Sequence, residues 1–156
     1  PPFSSRRRHT RSSVESRGLG DVYKRQDVQI ATDPLLSMEK FGVGGPASVR
    51  GYITNQLVRD SGLASSLEFR FPILRRPGGG SLAQLAVFGD YGRSWNYRGP
   101  EPVLRNIGSV GPGLLFQPFR NLQGSIYYGY QLNEFDNPGN AIEDGSLHFQ
   151  LSYQAF

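Results

Sequence analysis

The stretch NLQGSIYYGYQL, residues 121–132, has the most regular alternation of apolar and polar residues in the chain. Its apolar positions are Leu122, Ile126, Tyr128, Tyr130 and Leu132, and the positions opposite them are Gln123, Ser125, Tyr127, Gly129 and Gln131. Because successive side chains of a β-strand point to opposite faces, this period of two predicts a strand with one apolar and one polar face.

Five other segments repeat this period of two, and clusters of Gly, Pro, Asn and Asp separate them. They are residues 27–33, 63–72, 82–93, 106–117 and 146–155. No segment has the period of a helix. The later segments run 10–12 residues, whereas strands of soluble proteins average about 5–6 residues and a tilted membrane-spanning strand needs about 9–11.

Two kinds of sheet fit this alternation. A soluble β-sandwich with one wet face would show it too. The strand length, the Tyr and Phe residues along the apolar faces, and the Ser, Gln and Gly residues on the other faces favour a barrel that meets lipid outside and water inside. We therefore predict an all-β fold, an antiparallel transmembrane β-barrel fragment of about six C-terminal strands.

The composition of the 156 residues excludes several classes of protein. The mean hydropathy of -0.43 and the lack of a run of about 18 apolar residues exclude a membrane-spanning helix. Zero Cys excludes disulfides, thiolate metal sites and cysteine nucleophiles. His148 is a single position on a polar strand face, so we expect no metal, no cofactor and no catalytic site. A lipase barrel is an alternative, which loss of lipase activity in a His148→Ala variant would support.

The net charge of +4 comes from the first segment of the chain. Residues 1–26 hold seven basic and two acidic residues, and the remaining 130 hold ten and eleven, so the two parts carry +5 and -1. Residues 1–26 lack periodicity, which predicts disorder. Their SSRRRHTR and DVYKRQ resemble translated sequencing-adaptor read-through, so we interpret the segment as non-native and expect that an N-terminal part of the protein is missing. No nucleic-acid partner is therefore expected.

A long loop at 34–62, between the first two predicted strands, contains the most informative motifs. Loops of this length in compact domains are usually functional. Its EKFGVGGPASVRGY and NQLVRDSG, together with the later AVFGDYGRSWN and NIGSVGPGLLFQ, resemble the C-terminal barrel of two-partner-secretion transporters, the haemolysin activation/secretion proteins. The resemblance covers residues 27–156. VRGY alone is shared with barrel-assembly insertases, whereas DPLLSMEKFGVGG and NQLVRDSG are more specific to the secretion branch.

The resemblance implies a location, a function and partners. It implies a pore of about sixteen strands in the bacterial outer membrane, which moves an unfolded exoprotein across without ATP and contacts outer-membrane lipid. Soluble periplasmic domains precede the barrel in that family and recognise the exported protein. The alternatives are an outer-membrane barrel-assembly insertase of the same superfamily or a porin-like barrel.

The VRGY loop of that family folds back into the lumen, which would place Val49, Arg50, Gly51 and Tyr52 at a loop tip inside the barrel. A buried guanidinium needs a carboxylate, and a bidentate pair is directional. Asp90 lies on the polar face of its predicted strand. We therefore predict an Arg50–Asp90 salt bridge, with Glu68 as the substitute partner, that holds the loop rather than catalyses a reaction; a solvated Arg50 at a loop tip is the alternative.

The loop holds two further sets of residues. Gly44, Gly45 and Gly51 would permit positive φ or close backbone approach, although ordinary flexible-loop glycines are an equal alternative. Tyr52 is expected to pack beside Arg50. Arg59 and Asp60 are expected to form a local solvated pair.

The end of the chain resembles the recognition signal of outer-membrane barrels, a terminal aromatic residue that closes an alternating strand. Phe149, Leu151 and Tyr153 share one face, and Phe156 lies one step out of phase with them. This predicts the barrel-assembly machinery as a further partner.

About six strands cannot close a barrel, whose known minimum is about eight. An open sheet would leave unpaired edges in lipid. We therefore expect no transport by the isolated chain, and channel conductance from the purified chain would contradict this.

Overall fold

A single large antiparallel sheet dominates the computed structural model, which describes residues 5–16, 20–77, 79–98, 106–119, 121–133 and 146–154. The strands are β1 (Ser5–Ser16), β2 (Gly20–Ala31), β3 (Phe41–Val43), β4 (Leu57–Arg59), β5 (Ser61–Arg75), β6 (Ser81–Trp95), β7 (Asn106–Phe119), β8 (Leu122–Tyr128), β9 (Tyr130–Gln131) and β10 (Leu147–Tyr153). These ranges contain no helix that could cross a membrane. The all-β prediction is confirmed.

The strand order of the sheet is β1-β2-β5-β6-β7-β8-β10, and every neighbouring pair is antiparallel. The short strand β9 pairs with β7, and β3 and β4 form a separate two-stranded sheet. Within the described ranges β1 and β10 do not pair with each other, so the sheet is open. This is the architecture of a β-barrel fragment.

The two faces of the sheet differ as the alternation predicted. One row of directly paired residues is apolar and exposed; it consists of Phe71, Leu85, Leu114, Ile126 and Phe149. The adjacent row lies on the other face; it consists of Arg70, Ala86, Gly113, Tyr127 and His148. A continuous apolar face of this extent suits lipid, because soluble monomers rarely expose one.

The connections at the two ends of the sheet differ in length. Only residues 76–80 join β5 to β6, and residues 120–121 join β7 to β8. The opposite end carries the connections 32–60, 96–105 and 132–146. The 32–60 connection therefore lies at the end of the sheet that carries the longer connections.

The described part of residues 1–26 forms β-strands, whereas the sequence predicted disorder. β1 and most of β2 fall in this segment, and β2 pairs with β5 from Asp21 to Gln29. The pairing needs only backbone N–H and C=O groups, which the edge of β5 offers to any extended chain, so it leaves no periodic signature in the side chains. The resemblance to adaptor read-through concerns the origin of the segment and stays a prediction.

Two other predictions differ in detail. The alternating stretch 121–132 is interrupted at Gly129, which separates β8 from β9 and donates its N–H to Ser146 O at 2.7 Å. The long connection runs over residues 32–60 and contains the β3–β4 hairpin, so it has secondary structure of its own. We call residues 32–60 the inserted loop.

Candidate functional site

The inserted loop lies on the polar face of the large sheet. It contributes most of the buried apolar cluster of the molecule, which consists of Phe41, Val43, Val49, Tyr52, Leu57, Ala64 and Ile107. Ala64 and Ile107 come from β5 and β7, so loop and sheet share one core. Val49 to Tyr52, the VRGY residues, form the part that reaches furthest across the sheet toward β8 and β10, and we call them the loop tip.

Arg50 of the loop tip makes a bidentate salt bridge with Asp90 of β6. Its Nε donates to Asp90 Oδ2 at 2.8 Å and its Nη2 donates to Asp90 Oδ1 at 2.9 Å. The backbone N–H of Arg50 also donates to Asp90 Oδ2 at 3.0 Å. Both residues are buried, with 7% and 5% of their surface exposed. The structure thus brings together the two residues that the sequence predicted to pair.

Glu68 of β5 is a simultaneous second partner rather than a substitute. Arg50 Nη1 donates to Glu68 Oε2, and Nη2 also donates to Ser66 Oγ at 3.0 Å. The other carboxylate oxygen of Glu68 accepts from Arg70 Nε and from the hydroxyl of Tyr127, the latter at 3.0 Å. Glu68 therefore links the loop tip to side chains of β5 and β8.

Two aromatic rings flank the guanidinium of Arg50. Its central carbon lies 3.7 Å from the ring centroid of Phe88 and 4.7 Å from that of Tyr127. The rings themselves meet edge to face, at 5.8 Å between centroids and 75° between planes. A planar guanidinium can stack on a ring and still form its in-plane bidentate bonds, which a lysine ammonium cannot do.

The charges of this cluster balance. Two arginines, Arg50 and Arg70, face two carboxylates, Asp90 and Glu68. Burial alone would lower the pKa of the Arg50 guanidinium, but hydrogen bonds and charge from Asp90 and Glu68 outweigh it and raise that pKa above its ordinary value. A buried network that is fully paired in this way is costly to break at one member.

The backbone of the loop tip also forms hydrogen bonds with side chains of the sheet. The N–H of Gly51 donates to His148 Nε2 of β10 at 2.9 Å, and Gln131 donates to the carbonyl of Gly51. Gly51 has a φ of 92°, and a Cβ added there would lie 2.8 Å from the carbonyl oxygen of Gly129. Only glycine fits this close backbone contact.

Tyr52 fills the core beneath the tip. It is 1% exposed, its hydroxyl donates to Gly108 O at 2.9 Å and accepts from the N–H of Asn133 at 3.3 Å. Burial raises the pKa of the Tyr52 phenol, although its hydrogen bonds with Asn133 and Gly108 oppose this shift. Tyr52 thus belongs to the buried cluster and binds backbone of β7 and of the residues that follow β9; its packing beside Arg50 stays a prediction.

Gly44 and Gly45 form the turn that follows the β3 strand. Their φ angles are 118° and 90°. The N–H of Gly44 donates to Ser48 Oγ at 2.8 Å, and Ser48 N–H donates to Gly45 O at 3.1 Å. The turn thus requires the positive φ that the sequence suggested for both glycines.

The solvated pair predicted for Arg59 and Asp60 is wrong, because both residues are buried where the loop joins β5. Asp60 accepts from the N–H groups of Leu35 and Tyr97, each at 3.1 Å, and lies 3.6 Å from Lys40 Nζ. Arg59 donates to the carbonyl and hydroxyl of Ser94 at 3.0 and 2.9 Å. Burial lowers the pKa of the Arg59 guanidinium. We call Arg59, Asp60 and their partners the loop root.

The proposed C-terminal signal is partly described. Phe149, Leu151 and Tyr153 lie on the exposed apolar face of β10, and Phe156 lies outside the described residues. Within the described ranges, no group of three or more His, Asp or Glu side chains could hold a metal ion.

Sequence reasoning missed several contacts of the loop tip. It placed His148 on the polar face but not against Gly51, which is 97 residues away in the chain. It also missed Gln131, and Gly129 carried no signal beyond being a glycine inside a strand pattern. The lone histidine and the strand glycine were the two features that could have indicated a contact with the loop.

One comparison with known proteins matches the chain. A family model described as the Omp85 superfamily domain matches residues 9–154. No curated protein and no solved structure matches the chain.

Proposed function

The chain belongs to the Omp85 superfamily, and we propose that it is the C-terminal barrel portion of an outer-membrane pore that secretes a partner exoprotein. Members of the superfamily are outer-membrane proteins that work with secreted or inserted protein substrates. The proposal adds the two-partner-secretion role, an exoprotein of the haemolysin or adhesin type as substrate, and the barrel-assembly machinery as the partner that inserts the barrel.

The observation that carries the proposal is the buried network around Arg50. The inserted loop starts at the end of the sheet with the longer connections and covers part of the polar face. Its Arg50 forms salt bridges with carboxylates of two strands, β5 and β6. The carboxylates of Asp90 and Glu68 are bound by Arg50 and Arg70, so neither is available as a catalytic acid or base. The arrangement therefore supports a gating or supporting role for the loop, and we assign it no catalytic step.

The loop root supports the secretion branch over the insertase branch. The two segments that resemble the secretion branch, DPLLSMEKFGVGG and NQLVRDSG, contact each other there: Leu35 N–H and Lys40 both bind Asp60. Leu57, Arg59 and Asp60 of the second segment are all buried. The residues that carry the resemblance to the secretion branch therefore form one buried unit of the structure.

The open sheet indicates what else the pore needs. In lipid, the outer edges of β1 and β10 must pair with further strands, because unpaired backbone groups are prohibitive there. We therefore propose that this sheet supplies part of a larger barrel and that further strands complete it.

The test is secretion by the intact protein, co-expressed with a candidate exoprotein of the haemolysin or adhesin type. We expect Arg50→Ala to abolish or sharply reduce secretion while the barrel still assembles, as judged by heat-modifiable migration in gels. Arg98→Ala, at an exposed arginine beside Tyr97, is the matched control and should secrete normally. Unchanged secretion by Arg50→Ala would overturn the proposed role.

The insertase alternative predicts a different phenotype. Depletion of an insertase lowers the amount of folded porins in the outer membrane, whereas depletion of a secretion pore lowers only the exoprotein outside the cell. Porin loss upon depletion of this protein would therefore replace the secretion proposal with the insertase.

A further inference from the structure

A group of uncharged polar side chains lies on the polar face near the short-turn end of the sheet. It lines a groove of about 380 Å³ with Arg70 and Tyr127 at one side. We call the group the amide patch; it consists of Gln84, Gln123, Ser125, Gln150 and Ser152. Its members are close neighbours, since Ser125 pairs with Gln150 and Gln123 pairs with Ser152 across β8 and β10.

The amide patch has hydrogen-bonding capacity that the described part of the chain does not use. None of its five side chains forms a hydrogen bond with a described residue, although neighbouring polar side chains on the same face do. Each glutamine amide offers two donors and an acceptor that takes two bonds, and each hydroxyl offers both functions. The amide patch thus presents donors and acceptors and carries no charge of its own.

The same strands already show how this face binds a peptide group. Next to the patch, His148 accepts from the N–H of Gly51 while Gln131 donates to the carbonyl of Gly51. His148 and Gln150 are two residues apart and therefore lie on the same face of β10. The loop tip is in effect a polypeptide backbone bound by side chains of the polar face, and the patch continues that surface without an occupant from the described chain.

We propose that the amide patch binds the backbone of an extended polypeptide during its passage through the barrel. The inference rests on the proposed secretion function and adds a substrate-contact site to it. A polypeptide backbone alternates N–H donors and C=O acceptors, which amide and hydroxyl side chains can satisfy in any register. The absence of charge from the patch makes the contact independent of cargo sequence, as a pore for a long polypeptide requires.

The groove lies beside the loop tip rather than beneath it. It shares Arg70, Ser125, Tyr127 and Gln150 with a larger cavity of about 650 Å³ that reaches Arg50 and Pro46. Val49 and Tyr52 are fully buried against the sheet, so removal of the tip would break the shared core. The polypeptide is therefore expected to follow β8 and β10 past a seated loop.

The test uses the intact protein in planar lipid bilayers and a synthetic probe, an uncharged 24-residue peptide of Gly, Ser and Asn. The measured quantity is the duration of the current blocks that the peptide causes. We expect Gln123→Leu/Gln150→Leu to shorten the blocks by about tenfold, because two hydrogen-bonding side chains are lost at similar volume. Gln123→Asn/Gln150→Asn keeps both amides and should stay within about twofold of wild type. A second peptide of the same composition in scrambled order should give the same durations.

The outcomes separate this inference from the proposed function. Equal block durations for wild type and the Leu variant would overturn the peptide-contact site and leave the secretion pore intact. A large difference between the two peptides would also overturn it, because a backbone contact does not depend on side-chain order. A conducting wild-type pore without any peptide-dependent block would contradict the proposed function itself. Heat-modifiable migration of each variant establishes that it has folded.

Discussion

The loop tip and the loop root are two attachments of one loop to one sheet, and they use different chemistry. At the tip, one side chain, Arg50, bonds to two carboxylates and a hydroxyl and stacks on two rings. At the root, several residues share the bonding, mostly between side chains and backbone groups of Leu35, Tyr97 and Ser94. The charged contacts of the tip are therefore concentrated in one side chain, whereas the contacts of the root are distributed over several residues.

This difference has a functional meaning. Concentrated bonding can be released by one event, such as the displacement of a guanidinium by another charged group, whereas distributed bonding cannot. A pore loop whose charged tip contacts rest on one cation is suited to loosen those contacts while the root stays in place. Substitutions at the tip and at the root should therefore differ in their effects on stability and on secretion.

Replacement of Arg50 by Ala should have the largest effect on the free energy of unfolding. The change leaves Asp90 buried without its main partner and removes the loop-tip partner of Glu68, and loss of one member of a buried ion pair costs about 3–5 kcal/mol. Urea unfolding of the intact protein in lipid vesicles measures this. Arg50→Lys keeps the charge but not the bidentate geometry and should fall between wild type and Arg50→Ala. A loss below about 1 kcal/mol in Arg50→Ala would contradict the concentration of the charged tip contacts in Arg50.

Replacement of Gly51 by Ala should destabilise the tip by backbone strain and by collision. The φ of 92° is unfavourable for Ala, and the new Cβ would meet the carbonyl of Gly129; strain of this kind costs about 1–3 kcal/mol. Gly79→Ala is a matched control, because Gly79 has a φ of 102° with no atom within 4 Å of an added Cβ. The difference between the two variants in urea unfolding isolates the collision. Equal losses would mean that Gly129 does not restrict the tip.

Replacement of Asp60 by Asn should weaken the root without releasing the tip. The two N–H groups of Leu35 and Tyr97 bond to different carboxylate oxygens, and Asn offers only one acceptor oxygen. One buried N–H then lacks a partner, which costs about 1–3 kcal/mol. Urea unfolding should report this loss while secretion remains near normal. Loss of secretion as complete as in Arg50→Ala would contradict the proposed division between tip and root.

Replacement of His148 by Ala should have the smallest effect. It removes the acceptor for the Gly51 N–H, a contribution of about 0.5–1.5 kcal/mol. Hydrogen exchange at the Gly51 amide is the sensitive measurement, and it should accelerate in His148→Ala. His148→Gln restores an acceptor and should exchange more slowly than His148→Ala. Exchange that is unchanged in both variants would show that His148 does not hold the tip.

Local patterns in the sequence were sufficient to predict which side chains lie on which face of the sheet. Phe69 and Phe71 alternate with Glu68 and Arg70 in β5, and a period of two specifies sides without any knowledge of neighbouring strands. The Arg50–Asp90 pair was predictable for a related reason. A guanidinium that is carried into a barrel needs a carboxylate, and β6 offers Asp90 on its polar face.

The remaining features depend on contacts between distant parts of the chain. Arg59 and Asp60 suggested a solvated pair because adjacent charges in a loop usually face water, but the closure of the root by Tyr97 and Ser94 buries them. The contact between Gly51 and Gly129 joins two glycines that no local pattern connects. The β1–β2 pairing is a backbone interaction that side-chain periodicity does not encode.

Arg50 holds the loop tip against the polar face of the sheet, and accessibility of the tip to a thiol reagent tests this directly. The chain has no Cys, so a single Val49→Cys substitution provides a specific probe at a position that is 0% exposed. Ile53→Cys, at an exposed loop position, is the control and should react with a membrane-impermeant maleimide in every background. We expect the Cys at position 49 to be protected from the maleimide in the intact protein and to become reactive when Arg50→Ala is added. Rapid labelling of position 49 with Arg50 present, or protection that persists without it, would show that Arg50 does not hold the tip.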